Sequence, residues 1–173
     1  MTRTVINFIV LFVVLAMAQA IVFNHICLFG VAIPLVFIYL IVKLPVTLNL
    51  NWSMTIAFLL GLTIDILSDT QGANALACTI LATIRKPVLH LYVSREDEMT
   101  DPEPTNRSLG LGVYAKYLLS ICLIYCTLYF LIEAFTFFNL GRLLLKILSS
   151  TLLTFVIILA IDLLTSRRRE KRL

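Results

Sequence analysis

The sequence has little charge, and this shortage restricts the classes of protein to which it can belong. Charged residues make up 14% of the chain, whereas hydrophobic residues make up 60% of its 173 positions and the mean hydropathy is +0.98. A soluble domain of this length does not need so many apolar residues. Apolar runs of about 20 residues recur, which is the length of a helix that crosses ~30 Å of hydrocarbon. The sequence therefore predicts an all-α integral membrane protein.

Cysteine and histidine are also scarce, and their placement argues against a metal site. The four cysteines lie within or beside apolar segments, no CxxC motif occurs, and the two histidines do not complete a zinc-binding spacing. Buried cysteine usually behaves as a small hydrophobic residue. No nucleophile elbow, phosphate loop or paired-carboxylate site is present either. We therefore expect no metal, no cofactor and no enzymatic activity.

The net charge of +4 is concentrated at one end of the chain. Five of the 14 basic residues lie in the last seven positions, 167–173. No aromatic residue interrupts this run, and no soluble domain is present to place it in a nucleic-acid groove. We interpret 167–173 as a basic cytosolic tail that lies near anionic lipid, rather than as a nucleic-acid-binding segment.

Six hydrophobic segments are predicted to form one transmembrane helical domain over residues 1–166. The first contains small-residue patterns, around Ala18, that resemble a signal-peptide cleavage site, but its apolar run continues through Phe23 and favours an uncleaved span. Pro34 in the second favours a kink or a tilted half-helix. A polar loop at about 93–113 is predicted to be flexible and cytosolic. The six segments are roughly 5–23, 28–42, 52–68, 73–91, 115–137 and 143–164.

The distribution of Lys and Arg predicts the orientation in the membrane. With a cytosolic N-terminus, twelve of these residues lie on the cytosolic side and two, Arg142 and Lys146, lie on the other, so both termini are predicted to be cytosolic. Segment 52–91 leaves two alternatives. Either its second helix continues through Arg85 and Lys86 to Tyr92 while both cations snorkel, or the segment is a shallow hairpin that does not cross.

Polar residues cluster at the end of the third segment. At 100° per residue, Gly61, Asp65 and Ser68 share one helix face, and Gly72 suits the turn that follows. A small residue, an acid and a hydroxyl on one face favour close packing of another helix. Two interpretations remain open for Asp65: it caps the turn and reaches interfacial water, or it is a buried polar anchor for a partner helix or a ligand contact.

Two further acids lie within hydrophobic segments. Glu133, near the outer end of the fifth segment, is a possible polar anchor, and we expect it to form a salt bridge with Arg142 or Lys146. Asp162 lies close to the basic tail, and we expect its side chain to extend to the cytosolic interface.

The segment from Gly61 to Leu76 resembles the signature of the bacterial rod-shape-determining protein MreD family. It reads GLTIDILS with a glycine four residues beyond the serine, which makes Gly61, Asp65, Ser68 and Gly72 the motif residues. Members of that family combine such a segment with five or six hydrophobic helices, a similar length and a basic cytosolic tail. The family often has a proline in the turn, where this chain has residues 69–71 as Asp-Thr-Gln.

The resemblance implies a non-enzymatic subunit of the cell-wall elongation complex in the bacterial inner membrane. Such a subunit binds the bitopic protein MreC and supports peptidoglycan synthesis and rod-shape maintenance. The implied indirect partners are the transglycosylase RodA, a class B penicillin-binding protein and the MreB filament. The implied fold is similar to the substrate-binding subunit of energy-coupling-factor transporters.

Two alternatives remain open. The implied fold and the polar residues Asp69, Gln71 and Asn74 at the outer turn permit a solute-binding subunit of a vitamin-type transporter. A lipid-modifying enzyme would have to use Asp65 and Asp69 as its acid–base groups. Their spacing matches no metal or phosphate motif, which counts against the enzyme.

Overall fold

The described part of the chain folds into six α-helices. A computed structural model describes residues 2–21, 32–70, 72–93, 104, 109–133 and 140–170. The predicted all-α fold class is confirmed. In chain order the helices are α1 (Thr2–Ile21), α2 (Ile38–Lys43), α3 (Leu50–Ser68), α4 (Ala73–Tyr92), α5 (Leu111–Glu133) and α6 (Leu140–Glu170).

Length and composition separate the helices that can cross a membrane from the others. α1 has 20 residues and includes the apolar stretch Phe8–Ile21. α4 also has 20 residues, or ~30 Å at 1.5 Å per residue, and its second half carries Arg85, Lys86 and His90. Three helices among the described residues are long and apolar enough to cross: Leu50–Ser68, Leu111–Glu133 and Gly141–Thr165.

Some predicted features fall outside the described residues. Most of the polar loop predicted at about 93–113 lies there, as do Gln71, residues 171–173 and the side chains of the basic tail from Arg167 onward. For segment 52–91, helix α4 continues to Tyr92, as one of the two alternatives requires. Whether this segment crosses the bilayer completely stays a prediction.

The prediction of a second span over 28–42 is wrong for the part that the structure describes. Helix α2 has only six residues, and the preceding residues 32–37 are not helical. Pro34 contributes to this difference, because proline has no N–H group and its ring clashes with the preceding helical turn. Residues 22–31 lie outside the described part of the chain. A non-helical backbone is tolerated at membrane depth only where the protein supplies its hydrogen bonds.

Helix α1 supplies hydrogen bonds to one side of the 32–37 segment. The Gln19 side chain donates from Nε2 to the Pro34 carbonyl at 2.9 Å and accepts from the Val36 N–H at 3.0 Å. Gln19 is only 1% exposed. Its amide thus bonds to an extended chain in the way that a neighbouring strand would.

Helix α6 supplies hydrogen bonds to the opposite side of the same segment. The Ile33 N–H donates to Ser150 Oγ at 3.1 Å, and the Leu35 N–H donates to Thr154 Oγ1 at 3.0 Å. Alternate N–H groups of an extended chain point the same way, and residues four apart on a helix share one face. The 32–37 segment is therefore held between α1 and α6 by side chains.

Helix α2 lies in the interior of the protein, and all six of its residues are buried. Just before it, Phe37 meets Tyr125 of α5 edge to face, with ring centroids 5.7 Å apart. Tyr125 also stacks on Tyr129 of the same helix at 6.3 Å. Aromatic pairs in these geometries add stability beyond that of the area they bury. The aromatic face of α5 therefore fixes the position of the chain as it enters α2.

The outer faces of the long helices are apolar. On α6, Leu144, Leu148, Leu152 and Val156 recur every four residues, and each is more than half exposed. A continuous apolar stripe of this kind is unfavourable in water. Such a stripe lies favourably against lipid chains, so this surface agrees with the membrane character of the chain.

Helices α3 and α4 approach each other closely at Gly61. A Cβ atom added at Gly61 would lie 2.5 Å from Ala75 Cα and 2.6 Å from the Asn74 carbonyl oxygen. Both are backbone atoms of α4, so they cannot move aside without moving the helix. The small residue predicted on this face of α3 is therefore required by the packing of α4.

We expect Gly61→Ala to destabilise the protein by roughly 3 kcal/mol, because the new methyl group overlaps the α4 backbone. Gly112→Ala is the matched control: Gly112 is also helical, but no atom lies within 4 Å of its added Cβ, so its stability should stay equal or rise slightly. Unfolding of both purified variants in the same detergent would measure the difference. Equal stability of the two variants would contradict the close approach.

Candidate functional site

The Asp65 carboxylate joins the end of α3 to the beginning of α4. Its Oδ1 accepts hydrogen bonds from the Thr70 hydroxyl, from the Asn74 backbone N–H at 3.1 Å and from Asn74 Nδ2 at 2.9 Å. Its Oδ2 accepts from the Ala75 N–H at 2.8 Å. Asp65 is 4% exposed. The acid therefore caps the unpaired N–H groups of α4 and interacts favourably with the positive end of that helix.

Asn74 extends this network to a third helix. Its Oδ1 accepts a hydrogen bond of 2.7 Å from the Tyr125 hydroxyl of α5, while its Nδ2 donates to Asp65. Both Asn74 and Tyr125 are buried. We call Asp65, Thr70, Asn74 and Tyr125 the turn cluster. It connects α3, α4 and α5 through groups whose hydrogen bonds are made within the chain.

The turn between α3 and α4 depends on two left-handed residues. Asp69 has φ of 53° and ends α3, and Gly72 has φ of 80° and precedes α4. Aspartate and glycine are residue types that accept this conformation. The prediction that Gly72 suits the turn is confirmed. Between them, the Thr70 N–H donates to the Asp65 carbonyl at 3.0 Å.

The motif residues Gly61, Asp65 and Gly72 thus have packing roles within this chain. Ser68 is partly buried, and its Oγ has no hydrogen-bond partner among the described residues. For Asp65, the structure combines parts of both interpretations: it caps the turn, but it is buried rather than turned to interfacial water. Contact of this face with a separate partner stays a prediction, and α4 now occupies the space next to Gly61.

A second cluster of polar residues joins α2 to α6. Lys43 Nζ lies 3.2 Å from Asp162 Oδ1 of α6, and the Tyr39 hydroxyl donates to the same carboxylate oxygen at 2.9 Å. Lys43 also lies over the Tyr39 ring, 5.2 Å from its centroid. We call Tyr39, Lys43 and Asp162 the ion-pair cluster. The expectation that Asp162 extends to the cytosolic interface is wrong: it is 2% exposed, because α2 brings it a cation and a hydroxyl.

Arg85 of α4 binds the backbone where α2 ends. Its Nη1 donates to the carbonyls of Ile41 at 3.0 Å and Leu44 at 2.6 Å, and its Nη2 donates to that of Pro45 at 2.8 Å. A cation near the last carbonyls of a helix satisfies groups that have no partner within the helix. Arg85 is 2% exposed, so it does not snorkel as the first of the two alternatives for segment 52–91 requires.

Lys86, the next residue, is only partly buried. Its Nζ donates to the Leu48 carbonyl at 2.5 Å, so it binds the connection between α2 and α3 rather than extending straight to solvent. Two consecutive cations of α4 therefore hold residues 41–48 from one side.

Glu133 has a different environment from the other two acids. It is exposed at the end of α5, and no ion pair joins it to Arg142 or Lys146 in the described part of the chain. The predicted salt bridge does not form in this structure. Whether Glu133 anchors a partner stays a prediction.

Several interacting residues were not identified from the sequence. Tyr125, Lys43 and Tyr39 were not assigned a role, and Asn74 was assigned to a solute site rather than to the turn cluster. The spacing of Tyr39 and Lys43, four residues apart, is a signal that they share one helix face. Their pairing with Asp162 has no such signal, because Tyr39 is 123 residues and Lys43 is 119 residues from Asp162 in the sequence.

Metal-ligating residues do not converge in the part of the chain that the structure describes. No group of three His, Cys, Asp or Glu residues there could hold a metal ion. Cys78, Cys122 and Cys126 are buried free thiols.

A groove of about 770 Å³ lies between α1 and α3, at the end of the protein where α2 stops. We call it the α1–α3 groove. The groove is lined by the first half of α3, whereas the turn cluster lies at the last turn of that helix. The two sites are therefore at opposite ends of α3. The residues that define it are Phe8 and Phe12 of α1, Leu40 and Leu44 at α2, and Trp52 and Ile56 of α3.

Comparisons with protein-family models, with curated proteins and with solved structures find no match to this chain. Functional conclusions therefore depend on the residues and on their geometry.

We expect Asp65→Asn to destabilise the protein by about 2 kcal/mol, because the amide cannot accept with both of its polar atoms and loses the charge that stabilises the α4 cap. The matched control is Asp69→Asn, which makes the same change at an exposed position of the same turn. Because asparagine tolerates the left-handed backbone, the free energy of unfolding should change by no more than about 0.5 kcal/mol. Thermal unfolding in detergent compares the two. A larger loss in Asp69→Asn would contradict the assignment of the cap.

We expect Lys43→Met to cost about 3–5 kcal/mol, because it leaves the Asp162 carboxylate buried without its cation. Adding Asp162→Leu should restore part of that loss, because it removes the carboxylate that has lost Lys43. Lys116→Met, at an exposed position of α5, is the control for loss of a cation. Denaturant unfolding of the two single variants, the double variant and the control measures the coupling. Additive losses from Lys43→Met and Asp162→Leu would show that the pair does not interact.

Proposed function

We propose that the chain is a non-enzymatic subunit of the cell-wall elongation complex in the bacterial inner membrane. In this role it binds MreC and, through MreC, associates with RodA, a class B penicillin-binding protein and the MreB filament. Peptidoglycan synthesis and rod-shape maintenance are the processes that it supports. The proposal depends on the resemblance of the Gly61–Leu76 segment to the MreD signature.

The observation that carries the proposal is the fit of three signature residues, Gly61, Asp65 and Gly72, to their positions. Only glycine fits at position 61, because any Cβ would overlap the backbone of α4. Asp65 accepts from four donors at the start of α4, and Gly72 has the left-handed φ of the turn. A pattern in which three of four residues are needed by one helical hairpin supports the view that it marks a fold, rather than a chance match.

The positions of the cations support the proposed orientation. Lys43 is the last residue of α2, and Arg85 and Lys86 of α4 bind carbonyls between residues 41 and 48. The turn cluster lies at the opposite end of α3. Cations at one end of a membrane domain favour the cytosolic side, which supports the proposal that both termini are cytosolic and that the turn cluster faces the periplasm.

The exposed apolar surface supports a role in binding other membrane proteins. The polar side chains of the turn cluster and of the ion-pair cluster form bonds between the chain's own helices. The outer faces consist of large apolar residues such as Ile66 and Leu148. A transmembrane helix of MreC could pack on such a face through shape and dispersion contacts.

Support for the solute-binding alternative is reduced by the geometry. Asn74, one of its three polar residues, is buried and bonded to Asp65 and Tyr125. The α1–α3 groove is lined mainly by apolar residues and lies at the other end of α3 from Asp69. A polar solute would find few hydrogen-bond partners there.

The test is recovery of MreC with the tagged chain in mild detergent, identified by mass spectrometry. We expect MreC and the penicillin-binding protein to be recovered with wild type and with the control Asp69→Asn. Recovery of an ATPase transporter module instead, with thermal stabilisation by a vitamin, would contradict the proposal and support the solute-binding subunit.

Asp65→Leu then distinguishes a partner-binding role of the motif from a packing role. Its thermal unfolding is measured in the same detergent as the pull-down. Loss of MreC from a variant that is still folded would place the partner on the motif face. Retention of MreC by the folded variant would limit Asp65 to its cap of α4.

A further inference from the structure

Arg85 is a buried cation to which no carboxylate is paired in the part of the chain that the structure describes. Its guanidinium donates to three backbone carbonyls, and these groups carry no net charge. Lys43, the other buried cation near the end of α2, is paired with Asp162. Because proteins usually pair a buried charge with an opposite one, the charge of Arg85 calls for an anionic partner.

The Arg85 guanidinium also has a donor that the carbonyls do not use. Its Nη1 and Nη2 atoms bind residues 41–45, whereas its Nε atom is buried and has no hydrogen-bond partner among the described residues. A buried donor without a partner is unfavourable. Since a guanidinium can only donate, the group that completes Arg85 must be an acceptor.

Helix α5 supplies further unused donors close to this cation. It packs against α4, and Tyr117 interacts electrostatically with Arg85. The Tyr117 hydroxyl is buried and has no hydrogen-bond partner in the described part of the chain. The same holds for the hydroxyl of Tyr114, which lies about one turn earlier on the same helix face and interacts electrostatically with Tyr117. Unpaired donors from two packed helices therefore surround one uncompensated charge.

The burial of these groups limits the size of a ligand. Arg85 is 2% exposed, and Tyr114 and Tyr117 are no more exposed than that. A lipid headgroup or an organic anion would have to separate α4 from α5 to reach them. A single-atom anion is similar in size to a water molecule, so it requires the smallest rearrangement of the packed side chains.

We propose that Arg85 and Tyr117 bind a halide ion, chloride in the cell, between α4 and α5. The ion accepts hydrogen bonds from Arg85 Nε and from the Tyr117 hydroxyl, and Tyr114 supplies a third donor. Its charge compensates that of Arg85, whereas a water molecule at the same place would leave the cation uncompensated. The inference does not depend on the cell-wall role, so it can succeed or fail independently of MreC binding.

Thermal unfolding of the purified chain in a non-ionic detergent tests the proposal. Chloride is exchanged for gluconate at constant ionic strength, because gluconate is too large for a site that is closed in this way. A ligand that binds only the folded state stabilises it, so we expect Tm to rise by about 5–10 °C when chloride is roughly a hundredfold above its Kd. Equilibrium dialysis with radioactive chloride should detect binding over the same concentrations.

Two matched tyrosine variants of α5 locate the ion. Tyr117→Phe keeps the buried ring and removes only the hydroxyl, which should weaken chloride binding roughly tenfold, the effect of losing one hydrogen bond to a charged group. In gluconate its Tm should equal or exceed that of the wild type, because a buried unpaired hydroxyl has been removed. Tyr129→Phe is the control: Tyr129 is also buried on α5 but stacks on Tyr125, near the turn cluster, and this variant should keep the full response to chloride.

The same Tm in chloride and in gluconate for the wild type would overturn the proposal. A loss of Tm in Tyr117→Phe that is equal in both salts would also overturn it, because the hydroxyl would then bond to water. An equal loss of the chloride response in both tyrosine variants would place the anion elsewhere and contradict the assignment to Arg85. If Tyr117→Phe does not fold, the absence of chloride binding by the wild type in dialysis would still reject the proposal.

Discussion

In an apolar interior, each backbone N–H and C=O group needs a partner within the protein, and this requirement explains where the chain places its polar side chains. In the part of the chain that the structure describes, the helical regularity is interrupted at residues 32–37, at the end of α2 and at the turn before α4. The backbone groups that lack a helical partner at these interruptions are bound by the side chains of Gln19, Arg85 and Asp65. Each of these side chains belongs to a different helix from the segment that it binds. The same bonds therefore also fix how the helices pack.

The local features of the chain could be predicted because they depend on neighbouring residues. Helix α3 was expected at 52–68 and runs over Leu50–Ser68, and α4 was expected at 73–91 and runs over Ala73–Tyr92. The face shared by Gly61 and Asp65 follows from helix periodicity alone. For the same reason the acid at the turn and the glycine after it were found without a structure.

The remaining features depend on contacts between distant positions. Hydropathy describes how a segment transfers into lipid, and by that measure 28–42 is a span; it does not reveal that Ser150 and Thr154 can replace helical hydrogen bonds there. Likewise, the basic tail next to Asp162 predicts that this side chain extends to the cytosolic interface. In the structure it is buried, with Lys43 3.2 Å away. Sequence patterns contain no direct signal for partners of this kind.

The bonds between the 32–37 segment and α6 have a consequence for biosynthesis. A ribosome makes residues 33 and 35 well over a hundred residues before Ser150 and Thr154, their partners at separations of 117 and 119. Until the last helix has been translated and inserted, these two amides must bond to water or to the translocation machinery. Residues 33 and 35 therefore complete their hydrogen bonds only after α6 has been made, and a product truncated before α6 would present an unsatisfied segment to membrane quality control.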